Sequence, residues 1–226
     1  EYAWKQIYAN ISITRLDELK NSGDAQKIAL VKSKVQIAEK TIMDTMGTAL
    51  YNDGTTNNAL VGLRAIVGTS STIGGIAQST NSWWAGQVDS STTTFSISAL
   101  QTQFNAASID SDGPSVIMAT RANYNRYYAQ LQPQQRFMDS ESAKGGFASL
   151  MFNGIPFIAD SHCPANHIFG LNENYLHLFV HKDEDMRFEP FQKPINQNVK
   201  VAKVFWLFSL GSSNNRLHFK LSAVAA

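Results

Sequence analysis

The sequence predicts an α+β fold, and three observations carry that prediction. One apolar stripe with helical spacing runs without a break from Asp24 to Leu50. The last third of the chain is mostly extended, with apolar and polar residues alternating at the period of two that marks a strand. Between these parts, Gly-Pro and Asn-Gly turn signals cut the middle into short helices and strands, and no internal repeat is present.

The chain opens with an extended pattern from Ala3 to Ile13. Tyr2, Trp4, Gln6, Tyr8 and Asn10 share one face, and Ala3, Lys5, Ile7, Ala9, Ile11 and Ile13 the other. With no partner strand upstream, this segment is expected to be an exposed edge that another chain or a missing segment must cover. It reads as an arm rather than a core element. The start at Glu1, inside a strand pattern and without an initiator methionine, leads us to expect a segment upstream of it.

The helix from Asp24 to Leu50 carries Ile28, Val31, Val35, Ala38, Ile42, Thr45 or Met46, and Ala49 on one stripe. Leu30 and Ile37 widen that stripe, as a helix pressed on a sheet requires, and no clean charge pairing supports a coiled coil. Asn21, Ser22 and Asp24 offer cap oxygens beside Gly23, and Asn52-Asp53-Gly54 ends the helix. Its length is roughly 40 Å at 1.5 Å per residue, so it is a spine with something laid along it.

After an apolar stretch from Leu60 to Val67, residues 68–96 are rich in Gly, Ser and Thr around Trp83-Trp84. Adjacent tryptophans anchor a loop to the core or to a neighbouring subunit; a ligand platform would need convergent polar groups beside them. Ser96 is expected to cap a helix with Ile97, Leu100, Phe104 and Ala107 on one side. Gly113-Pro114 starts a strand from Ser115 to Ala119, and Thr120 caps a helix with Tyr124, Tyr127, Tyr128 and Leu131 before Pro133. A polar segment, Gln132 to Gly146, leads to a hairpin of Ala148–Phe152 and Ile155–Asp160 around Asn153-Gly154. Four further strands follow: His167–Leu171, Tyr175–His181, Val199–Leu210 and Leu217–Leu221.

Composition excludes several function classes. Lys and Arg number 19 against 18 Asp and Glu, for a net charge of +1, and no basic run offers a nucleic-acid footprint. Charged residues make up only 16% of the chain, a neutral polar surface suited to contacts between subunits. Cys163 is the single cysteine, so no internal disulfide forms and a reducing compartment fits best. No apolar run reaches the length of a membrane span.

Motifs for catalysis are sparse. No phosphate-binding loop, dinucleotide fingerprint, zincin helix or nucleophile elbow occurs. The nearest approach is Ser161-His162-Cys163-Pro164-Ala165-Asn166-His167, where a cysteine between two histidines has the residue types of a thiolate nucleophile or half a zinc site. Neighbours on an extended chain point to opposite faces, so His162 is poorly placed as a base for Cys163, and a small buried cysteine beside a turn is the plainer reading. His177 and His181, and the acidic Asp183-Glu184-Asp185, read as surface or contact residues rather than a metal centre. We therefore expect no enzyme, no cofactor and no metal; a Cys163-dependent hydrolase is the alternative from another class.

The order of these pieces resembles the major capsid proteins of tailed bacteriophages. The resemblance covers nearly the whole chain and rests on order: the strand, the long helix to Leu50-Tyr51-Asn52-Asp53-Gly54, Gly62 to Val67, Trp83-Trp84 and Gly113-Pro114. It continues through Leu150 to Asp160, Cys163-Pro164 and Ile168 to Asn172. It implies the Hong Kong 97-type capsid fold, shared with encapsulins, in which an extended loop reaches over a neighbour beside a peripheral and an axial domain. Mapped onto this chain, residues 1–22 belong to the extended loop, 23–58 and 171–205 to the peripheral domain, and 59–170 and 206–226 to the axial domain. The implied function is a structural subunit that assembles as pentamers and hexamers into the icosahedral shell around viral DNA. Scaffolding, portal or decoration proteins are its implied partners, with weak contact to packaged DNA and none to membrane. The implied location is the virion, after assembly in the host cytoplasm. An encapsulin-like compartment shell is the alternative within the fold. Tyr2, Trp4, Tyr8, Trp83 and Trp84 are the expected subunit-contact residues, because aromatics dominate interface energetics.

Overall fold

The computed structural model describes residues 2–21, 23–55, 59–131 and 150–224. Ser22, Pro133, the polar segment from Gln132 to Gly146 and the start of the strand expected at Ala148 lie outside them. The described chain forms two principal sheets and a small hairpin, with one long helix beside the first sheet and two shorter helices beside the second.

The first sheet is built on β11 (Val199–Ser212), a 14-residue strand. On one side it pairs antiparallel with β1 (Lys5–Thr14) over the whole of β1, from Lys5 opposite Phe208 to Thr14 opposite Val199. On the other it pairs with β10 (Arg187–Gln192) along its first half and β9 (Leu176–Val180) along its second. This corrects the expectation of an arm without a partner in this chain, although β1 does stand at the sheet edge. The segment is a ladder strand whose aliphatic face, Ala9, Ile11 and Ile13, is buried in this chain's own core. The partner was hidden because it lies almost two hundred residues downstream, where no local pattern registers it. β11 also runs past residue 205, so the boundary drawn there cuts a continuous strand.

The long helix α2 spans Asp24–Leu50, as its periodicity predicts. It packs on β1 and β11, with Ala38 and Ile42 buried and Val35, Met46 and Ala49 partly so against Ala9, Ile11, Ala202 and Val204. The N-terminal half behaves differently from the expectation, since Ile28 and Ile37 stand exposed. The stripe is continuous in sequence, yet its fully buried residues are Ala38 and Ile42, past the helix midpoint, with Val31 and Val35 only partly covered. Capping also differs: Gly23, with no side chain to offer, is the N-cap, Asn21 turns back to close a short preceding helix, α1 (Arg15–Lys20), and Ser96 is the N-cap of the helix at Ile97–Ala107 without a side-chain hydrogen bond. Helix α1 has its own capping box, in which Asp17 N donates to Thr14 Oγ1 at 3.2 Å and Thr14 N to Asp17 Oδ2 at 3.4 Å.

The second sheet has six strands. In spatial order they are β4 (Gln87–Asp89), β12 (Phe219–Leu221), β8 (Ile168–Leu171), β5 (Val116–Ala119), β7 (Ile155–Ala159) and β6 (Leu150–Phe152). Its pairings are mixed, parallel at β4–β12 and β5–β7 and antiparallel elsewhere. The two-residue turn between β6 and β7 has positive φ at both Asn153 and Gly154, the geometry that Asn-Gly favours. One face of this sheet, with Ile117, Ala119, Phe157, Ile168 and Phe219, packs on α4 (Ile97–Ala107) and α5 (Arg121–Leu131), which follow the one-turn helix α3 (Leu63–Ile66) in the chain. The opposite face presents Val116, Phe169 and Leu171 to the core that α2 and the first sheet share. Gly170 lets β12 approach, because a Cβ there would meet the Phe219 ring at 1.9 Å.

Candidate functional site

The strand period places two kinds of side chain on the two faces of the first sheet, and the face turned away from α2 is aromatic. Tyr8 opposes Phe205 in register, with ring centroids 6.2 Å apart, and Trp4 meets the His181 ring edge-on at 5.7 Å. Phe205 is also flanked by cations, Arg187 at 5.5 Å and Lys203 at 6.0 Å from its centroid. Such stacking holds the guanidinium and ammonium groups over the sheet, and Arg187 is also held by the Glu184 carboxylate at 2.8 Å. Trp4 and Tyr8 remain 49% and 60% exposed, so this face is aromatic surface that the described residues cover only in part.

Tyr2 has a different place. Its hydroxyl donates to Ser212 O at 2.6 Å and accepts from Ser212 N at 3.1 Å, so it closes the end of β11. Its ring lies over Gly211, where an added Cβ would approach it at 3.2 Å, and its hydroxyl oxygen lies 3.3 Å from where a Cβ on Gly74 would stand. Gly74 belongs to a hairpin of β2 (Thr72–Ile73) and β3 (Ile76–Ala77) within the loop rich in glycine and serine. Trp84 fixes that same hairpin, donating Nε1–H to Ile73 O at 3.1 Å, and it is only 8% exposed. Trp83, beside it, is 62% exposed. Of the five aromatics singled out from sequence, Tyr2 and Trp84 are therefore engaged within the chain, while Trp4, Tyr8 and Trp83 face outward. Phe179, Phe205 and Arg187 belong to the same aromatic face and were not singled out, because their neighbours come from other strands.

Cys163 lacks the surroundings of a nucleophile. It is buried, its sulfur contacts Pro164 O at 3.8 Å and His167 O at 3.6 Å, and burial with the nearby Asp160 charge pushes its thiol up to about 12. A thiolate is the reactive form, so this cysteine is held in the inert one. His162 turns away from it toward Asp44 Oδ1, 2.9 Å from Nε2, and Asp160 Oδ1, 3.3 Å from Nδ1. His167 stacks on Phe169 at 5.7 Å and burial holds it down to about 4, neutral at ordinary pH. His162, Asp44, Asp160 and Tyr51 form a linked group that sequence reading missed, although Gly47 in mid-helix is a trace of it.

The other titratable candidates are likewise occupied locally. His181 Nδ1 accepts from Asp183 N at 3.3 Å, His177 Nε2 lies 3.4 Å from Ser213 Oγ, and Glu184 pairs with Arg187 at 2.8 Å. Among the described residues no three His, Cys, Asp or Glu side chains are grouped to hold a metal ion. No described helix is long and apolar enough to cross a membrane.

No protein-family model matches the chain, and no curated protein matches it in sequence. Its structure does match solved ones. The capsid asymmetric unit of cyanophage A-1(L) superimposes with a TM-score of 0.75 at 14% identity, over 98% of this chain and 78% of that one. The holo-SrpI encapsulin complex from Synechococcus elongatus PCC 7942 gives 0.69 at 10% identity, over 99% of this chain and 75% of that one. The capsid of an empty GTA particle gives 0.64 at 11% identity, over the whole of this chain and 74% of that one. These similarities span the entire described architecture, both sheets and the spine helix. The chain is an α+β protein with the Hong Kong 97-type capsid fold, the fold to which its sequence bears resemblance.

Proposed function

We propose that this chain is a structural shell subunit, the major capsid protein of a tailed bacteriophage, which assembles as pentamers and hexamers into an icosahedral shell around DNA. One observation carries the reading: the chain superimposes over 98% of its length on the capsid asymmetric unit of cyanophage A-1(L). The outward aromatic face at Trp4, Tyr8 and Phe205 supports it, since an uncovered patch of this kind marks a protein–protein contact. In this reading the first sheet and α2 form the peripheral domain, including Lys5–Thr14 and β11 as far as Ser212. The second sheet with α4 and α5 forms the axial domain. Trp4, Tyr8 and Trp83 contact neighbouring subunits, and the role is structural rather than enzymatic. Scaffolding and portal proteins would join in assembly in the host cytoplasm, and the near-neutral chain would touch the packaged DNA only weakly.

A second reading keeps the fold and changes the content. The encapsulin match at a TM-score of 0.69 supports a compartment shell that encloses an enzyme. Light scattering and negative-stain microscopy test the shared claim: closed shells, rings or capsomers are expected, and a monomer under every salt and pH condition would overturn it. The content of isolated shells then separates the readings, nucleic acid for the capsid and enzyme cargo for the compartment.

A further inference from the structure

The C-terminal half of α2 is tied to the second sheet through one imidazole. His162 sits in the loop after β7, with Nε2 2.9 Å from Asp44 Oδ1 of α2 and Nδ1 3.3 Å from Asp160 Oδ1 of its own loop. Asp160 also accepts from His162 N at 2.9 Å and, at Oδ2, from the Tyr51 hydroxyl at 2.7 Å. Tyr51 is the residue that closes α2, and its ring packs on Phe169 of β8 at 5.5 Å. A chain of contacts therefore leaves the helix at Asp44, passes through His162 and Asp160, and returns to the helix end at Tyr51. The ring lies so close to Gly47 that a Cβ there would come within 2.7 Å of Nδ1, so the helix is shaped to receive it.

Two carboxylates around one imidazole make the protonation state decisive. The imidazolium donates at both nitrogens, whereas the neutral ring donates at one and turns a lone pair toward a carboxylate at the other. The two contacts are not equivalent. Asp160 is held in place by the His162 amide and the Tyr51 hydroxyl, while the Asp44 side chain is 78% exposed and free to turn into water. We propose that His162 is a pH-controlled latch between α2 and the second sheet, closed as the imidazolium between Asp44 and Asp160 and open at Asp44 when the ring is neutral.

The electrostatics agree with the geometry. The hydrogen bond to Asp44 is the largest influence on His162; opposed by desolvation and helped by Asp160, it raises the imidazole above its ordinary 6.5. A raised value means that the latch is fully present below about 6.5 and is lost as pH rises through the folded-state value. The charged groups facing the His162 ring are Asp44 from α2 and Asp160 from its own loop, and behind Asp160 stand Tyr51, the C-cap of α2, and Cys163. Burial alone would raise Asp160, but the His162 amide, the Tyr51 hydroxyl and the His162 ring outweigh it and hold the carboxyl below its usual range. Burial, with the hydrogen bond to Asp160, pushes the Tyr51 hydroxyl far up, and burial with the Asp160 charge takes the Cys163 thiol to about 12, so both stay neutral near pH 7. Of these, His162 is the group that changes charge across the neutral range.

The test is an imidazole NMR titration of the full chain joined to hydrogen exchange, with variants compared in the same oligomeric state. His162→Gln identifies the signal. The wild-type midpoint is expected above the ordinary 6.5, and Asp44→Asn, an exposed change that leaves the core untouched, should lower it. After correction for intrinsic rates, amides in the last two turns of α2 and in residues 160–167 should exchange several-fold more slowly at about pH 6 than at about pH 8. That difference should vanish in Asp44→Asn. A midpoint at or below the ordinary value, equal protection at both pH values, or a difference that survives Asp44→Asn would overturn the latch. If His162→Gln does not fold, Asp44→Asn alone decides.

Discussion

The His162 ring rests on the backbone of α2 at Gly47, where an added Cβ would meet Nδ1 at 2.7 Å and Cγ at 2.9 Å. In an ordinary helix interior, replacing Gly by Ala gains about 1 kcal/mol. Here Gly47→Ala is expected to lower stability, because the ring must leave both carboxylates to make room. In a His162→Ala background the same change should recover the gain of about 1 kcal/mol. Denaturant unfolding of the four proteins measures this cycle, and a gain in both backgrounds would show that the ring does not rest on the helix.

Gly170 has a stricter constraint. A Cβ there would lie 1.9 Å from Phe219 Cε1, and Phe219 is fully buried between β8 and the helices. Gly170→Ala should cost at least about 1–3 kcal/mol by overpacking, and Phe219→Leu should relieve part of it. Thermal unfolding of the single and double variants checks both expectations.

Aromatic substitutions should divide by burial. Trp84→Ala removes a buried indole and its bond to Ile73 O, and is expected to cost about 3 kcal/mol or more. Replacing exposed Trp4 and Tyr8 together by Ser should leave circular dichroism and unfolding nearly unchanged while shifting light scattering toward small species. Unaltered assembly in that double variant would remove this face from the subunit contacts.

Cys163 should be inert in the native protein. With its thiol pushed up to about 12, alkylation at about pH 8 is expected to label it only after unfolding. Because the folded value exceeds the ordinary 9.0, the thiol's contribution to stability is intact below that value and declines as pH rises toward 12. Fast labelling of the native chain would restore Cys163 as a candidate nucleophile.

Local pattern alone determined the helix from Asp24 to Leu50, the Asn153-Gly154 hairpin, the helices after Ser96 and Thr120, and most strands, since each reports its period over a few residues. It missed β10, where Pro190 and a register shift between Glu189 and Gln192 break the alternation. Tertiary structure decided what no period encodes. It paired Lys5–Thr14 with a strand almost two hundred residues away and so turned an expected arm into core. It buried Trp84 while exposing Trp83, and left Ile28 on a predicted apolar stripe in solvent. It also brought Asp44 to His162 across more than a hundred residues of chain. The physical reason is common to all of these: periodicity states which face of an element is apolar, but whether that face meets this chain, another chain or water depends on contacts distant in sequence.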